Sequence, residues 1–148
     1  MNAEPRNRFQ AWGYWAGRLV LGIVFIYAAI LKIASPQEFA DSIAAYQILP
    51  FTVIDLLALG LPLFELACGL LVLSGFFFRT GVVGIIGLLA VFVGASITAQ
   101  LKGLSIDCGC FGAHSWLDSN PWMVLIRDGL LLGLAVFLYD RHIRKLPS

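Results

Sequence analysis

The stretch GVVGIIGLLAVFVGASITAQL, residues 81–101, contains no charged side chain. It is also as long as the roughly 20 apolar residues that a helix needs to cross a bilayer. Working outward from it, three further segments are mainly apolar over a similar length, though not free of charge: Tyr14–Ile33, Val53–Gly75 and Trp122–Tyr139. The whole composition agrees, with 148 residues of which 59% are hydrophobic and 13% charged, and a mean hydropathy of +0.86. No soluble domain of this size could hide that much apolar surface. The expected fold is an all-α integral membrane protein, a four-transmembrane-helix bundle in one domain, with a short interfacial helix between the first and second spans.

The connectors carry their own signals. Residues 76–80 make a tight link, so the second and third spans are expected to be antiparallel neighbours. In the first connector, Ser35, Pro36 and Glu38 form a helix-start pattern with proline at the first helical position. Phe39, Ile43 and Tyr46 then recur at helical spacing, which predicts an amphipathic helix over about 36–49, lying on the membrane surface until Pro50 stops it; a plain linker is the alternative. The N-terminal segment has basic residues but no small-residue cleavage site after its apolar run, so it reads as a retained helix. Arg6, Arg8, Arg79, Arg141, Arg144 and Lys145 fall on one side of the membrane and Lys32 and Lys102 on the other, which makes the first side cytoplasmic and puts both termini there. Trp12 and Trp15 near one interface and Trp116 and Trp122 near the other suit aromatic belts. The net charge of +1 offers no extended basic surface for nucleic acid.

Within the spans, small residues mark expected helix contacts: Gly87, Ala90, Gly94 and Thr98 on the third, Gly129 and Gly133 on the fourth, and Gly13, Gly17 and Gly22 along the first. Four ionisable residues stand out because each is costly inside a bilayer: Arg18, Glu65, Arg127 and Asp128. Glu65 is the deepest, and Arg18 and Arg127 are its expected partners. Two readings of this cluster stand side by side, a buried ion pair that fixes helix assembly and the floor of a pocket. Pro62 precedes Glu65 by one turn, and Cys68 and Gly69 follow it by one, which predicts a kinked, closely approached helix. Cys68 itself reads as a small apolar packing residue, too deep to reach Cys108.

Asp107-Cys108-Gly109-Cys110-Phe111-Gly112-Ala113-His114 follows the uncharged span on the side where disulfides persist. Cysteines flanking a single residue close a disulfide only through a tight turn, which Gly109 permits. Such a strained bond is easy to reduce and suits exchange with a partner's thiolates. Two other readings remain open at this point: a structural disulfide or inert thiols, and metal binding by Cys108, Cys110 and His114, for which no fourth ligand is evident. Lys102 and Lys32 favour a thiolate here, whereas Asp107 opposes it.

With these features in hand, the chain resembles the MauE family of methylamine-utilisation membrane proteins, within the DoxX-like four-helix group. The resemblance covers nearly the whole chain and is carried by GRLVLGIVFIYAAILKI, AYQILP, LPLFELACGLLVLSG, IDCGCFG and LIRDGLLLGLAVF, of which IDCGCFG is the most specific. It implies a helper role in forming or maintaining disulfides of exported proteins together with an exported thioredoxin-like partner. Cys108 and Cys110 are the redox pair that it implies, and Arg18, Glu65 and Arg127 match charged positions of the DoxX-like helices. The layout is also similar to that of the quinone-linked enzymes of the vitamin K epoxide reductase kind, which implies a quinone near Arg18, Glu65 and Arg127. The chain lacks their second cysteine pair and any C-x-x-C. The resulting expectation is a thiol-disulfide protein of the bacterial inner membrane, with the Cys-Gly-Cys connector (about 102–121) outside. The alternative is a small transporter or binding subunit whose pocket is the charge cluster and whose cysteines are structural.

Overall fold

The computed structural model describes residues 5–103 and 120–144. Five helices follow one another: α1 (Pro5–Ala34), α2 (Pro36–Ala45), α3 (Phe51–Ser74), α4 (Phe78–Leu101) and α5 (Pro121–Arg144). Four of them, α1, α3, α4 and α5, are long and apolar enough to cross a membrane, and the protein is a four-helix membrane bundle with the short α2 between the first two spans. α3 and α4 are apolar all round, as helices are whose outer faces meet lipid and not water. Leu56, Leu59, Leu63, Leu70 and Val91 accordingly point outward.

α1 packs along α3, α3 along α4 and α4 along α5, and α5 returns to touch α1, which closes the bundle. Leu21, Val72, Ile85, Leu89, Ala135 and Leu138 fill its centre. Gly22 and Gly69 set the closest approach of α1 to α3, since a Cβ on either would lie 3.2–3.3 Å from the other's carbonyl oxygen. Gly17 is covered by Leu134 and Leu138 of α5. The other small-residue faces are turned the opposite way from expectation: Gly13, Gly87, Gly94, Gly129 and Gly133 have open space where a Cβ would stand. The close α3–α4 contact instead uses Gly81 and Gly84, against Leu71, Val72 and Cys68.

The ends of the helices also differ from the sequence reading. α2 stops at Ala45, where Tyr46 and Gln47 turn the chain and Gln47 takes a positive φ of 52°. Ser35 occupies the N-cap and Pro36 the first turn, but the Ser35 side chain makes no capping bond. The apolar side of α2, with Phe39, Ile43 and Tyr46, faces α3 and α4 across a shared pocket. At the opposite end of the bundle, Gly75 (φ 78°) and Phe77 (φ 51°) reverse the chain between α3 and α4.

Candidate functional site

The mutual contact of Gly22 and Gly69 fixes the antiparallel register of α1 and α3. In that register Glu65 is level with Ile26, and Lys32 stands six residues, ~9 Å, farther along α1 by the helical rise. Side chains lean toward the N-terminus of their own helix, so on antiparallel helices Lys32 and Glu65 lean toward each other. The lysine stem spans the remaining gap: Lys32 Nζ donates to both carboxylate oxygens of Glu65, at 2.7 and 2.8 Å. Both residues are enclosed, at 2% and 1% exposure. Phe92 of α4 and Phe39 of α2 complete the shell, with ring centroids 4.8 and 5.0 Å from the ammonium, where aromatic faces attract a cation.

Lys32 is therefore the partner of Glu65, in place of Arg18 and Arg127, and it belongs to the interior and not to the outer surface. Arg18 serves another purpose. Its Nε donates to the Val72 carbonyl at 2.6 Å and its Nη2 to that of Leu73 at 2.8 Å. These are last-turn acceptors of α3 with no donor inside their own helix, and a cation there is favoured by the helix dipole. The guanidinium lies against Gly75, where a Cβ would collide with it, and over the rings of Trp15 and Phe78.

Arg127 donates to the neighbouring Asp128 at 3.1 Å, and Asp128 is buried within electrostatic reach of both Lys32 and Glu65. Lys32, Glu65, Arg127 and Asp128 thus form one formally neutral group, while Arg18 lies elsewhere. The space that these four residues line with Phe25, Ala28 and Phe92 is about 20 Å³. That is water-sized and far below the roughly 300 Å³ at which small-molecule pockets begin, so a quinone ring does not fit at the expected place.

A larger space lies on the other side of Phe39 and Phe92. It measures about 300 Å³ and is lined by those rings with Ile43, Tyr46, Leu57, Leu61, Val91 and Thr98, among others, none of them charged. The Thr98 hydroxyl already donates to the Gly94 carbonyl at 2.8 Å. The lining suits an apolar body and has no charged side chain to pair with an ion.

Cys108, Cys110, Asp107 and His114 lie outside the described residues, on the connector between α4 and α5. Cys68 is buried at the α3–α4 contact against Gly84, a packing position. The sequence reading missed Lys32, Phe39 and Phe92 as parts of the interior group; a lysine in the last turn of a span, on the side of the carboxylate deep in its neighbour, is the signal that marks it.

Four spanning helices clipped together by an enclosed ion pair, with a cysteine-bearing connector at one end, define a small multi-pass membrane protein. The chain belongs to the MauE family, whose model, described as methylamine utilisation protein MauE, matches residues 10–140. Among similar proteins is the methylamine utilization protein MauE of Paracoccus denitrificans, 30% identical over 123 residues. That alignment covers 82% of this chain and 66%, just under two thirds, of the relative. No solved structure matches.

Proposed function

We propose that this protein serves methylamine utilisation as a thiol-disulfide exchange protein of the bacterial inner membrane, with Cys108 and Cys110 as its reactive pair. Its partner is an exported thioredoxin-like protein, and its purpose is disulfide formation or maturation in exported proteins. In one direction the thiolate of one cysteine attacks the partner's disulfide and releases one partner thiolate. The second cysteine then attacks the mixed disulfide, which leaves the Cys-Gly-Cys disulfide and a reduced partner; the reverse sequence passes two electrons back.

The observation that carries this reading is where the cysteines stand in the chain. The connector that holds them leaves the bundle after α4 and re-enters at α5, at the end opposite both termini. With Lys32 and Arg127 engaged inside the bundle, Lys102 is the one remaining lysine or arginine at that end, against Arg79, Arg141 and Arg144 at the helix ends of the other. The bias supports cytoplasmic termini and an outward-facing connector, where disulfides persist. The rival reading, a transporter or binding subunit centred on the charge cluster, has less support: the cluster is internally paired and has room for little more than water. For electrons passing into the membrane, the apolar pocket beneath α2 has the size for a quinone ring that the charge cluster lacks.

The test is trapping. Cys108→Ser or Cys110→Ser, expressed at native level, is expected to accumulate a mixed disulfide with the partner on non-reducing gels, and the double variant to abolish it. Absence of any such species from both single variants would overturn the proposal.

A further inference from the structure

At the end of the bundle that carries both termini, an open cleft of about 640 Å³ lies between the start of α4 and the end of α5, lined by Gly75, Phe77, Arg79, Thr80, Tyr139 and His142, with Phe78 and Val83. The geometry points to a binding site for the phosphodiester headgroup of an anionic phospholipid. Three sets of donors converge there. Arg79 is exposed, lies 6.0 Å from the centroid of the Tyr139 ring, and has no carboxylate partner among the described residues. The hydroxyl of Thr80 makes no hydrogen bond to any described residue. α4 begins without a side-chain cap and without an acidic residue in its first turn, so its first N–H groups, which have no acceptor inside the helix, are open to an anion.

The walls behind these donors are held in place. The His142 ring lies tilted at 45° against Phe78, centroids 4.8 Å apart, and its Nδ1 lies 3.4 Å from the Tyr14 hydroxyl. Arg18, pinned at Gly75, adds positive charge behind the cleft. What separates a lipid from a free anion is the continuity of the cleft with the bilayer. Val83 lies one turn deeper than Arg79 and is half exposed, and Phe76 and Phe77 at the turn are 74% and 69% exposed. A headgroup bound at Arg79 and Thr80 therefore has its acyl chains running down an apolar helix face. Basic clefts between spanning helices have this chemistry for acidic lipid headgroups.

Native mass spectrometry of the full chain released from equal mixtures of phosphatidylglycerol and phosphatidylcholine tests the site. The wild type is expected to retain one phosphatidylglycerol in preference to phosphatidylcholine. Arg79→Gln should cut that preference by about fivefold, the factor for one interfacial arginine. Val83→Trp should cut retention of either lipid by filling the acyl path. Arg144→Gln should change nothing, because Arg144 is already engaged by Asp140 at 2.9 Å. Equal retention of the two lipids, a preference that survives Arg79→Gln, retention unchanged by Val83→Trp, or displacement of the lipid by millimolar inorganic phosphate would overturn the assignment.

Discussion

Lys32 is two residues from the end of α1, and by position alone it counts as an interfacial charge. Its side chain reverses that reading, because it points back along the helix and delivers its ammonium to Glu65 at 2.7 Å. Removing one member leaves a charge without its counterion inside the bilayer, which in buried pairs costs about 3–5 kcal/mol. Lys32→Met and Glu65→Gln are each expected to lower stability by that order in detergent unfolding. The Lys32→Met/Glu65→Leu double variant should recover most of the loss, since well-packed apolar residues replace such pairs at little net cost. Its thiol exchange should persist; loss of exchange in a stable double variant would give the pair a part in the chemistry. Glu65 was legible as a buried charge from its place in an apolar run. Its partner was not, because residue counting locates Cα atoms and the lysine stem carries the charge several ångströms away from its own.

Among the elements, the same gap separates composition from direction. Gly69, beside Cys68 and a turn beyond Glu65, and Gly87, in line with Ala90 and Gly94, are both expected from the sequence at close helix contacts. A Cβ on Gly69 would lie 2.8 Å from Ile26 and 3.2 Å from the Gly22 carbonyl, whereas one on Gly87 would meet nothing. Gly69→Ala is therefore expected to destabilise by about 1–3 kcal/mol through overpacking at the α1–α3 crossing. Gly87→Ala should be neutral, or stabilising by up to ~1 kcal/mol through helix propensity; thermal unfolding of the two variants in one detergent makes the comparison. If Gly87→Ala costs as much as Gly69→Ala, its face is a helix contact in the membrane. The spans themselves were legible, because apolar length decides them. Which stripe faces a neighbour was not, since a helix apolar on every side carries little directional pattern. The apolar face of α2 was likewise evident in its spacing, whereas its orientation toward α3 and α4 depends on the turn at Tyr46 and Gln47.

For the molecule as a whole, the interior is described by its paired charges, and the proposed chemistry belongs to the cysteine connector. Every charge deep in the bundle is engaged: Lys32 by Glu65, Arg18 by the α3 carbonyls, Arg127 by Asp128. The first two tie α1 to α3, and α4 is held by its packing between α3 and α5. The property that separates exchange from stapling is the reduction potential of the Cys108/Cys110 pair. Structural disulfides lie below about −300 mV, and strained or exposed ones are more oxidising. A disulfide bridging a single glycine belongs to the second group, so thiol trapping of the purified protein across a graded glutathione and dithiothreitol series is expected to place its midpoint well above −300 mV. A pair still oxidised at the reducing end of that series would be a staple, and one that never oxidises would be a thiol or metal site. Either outcome would remove exchange chemistry from the connector while leaving the ion-paired bundle as described.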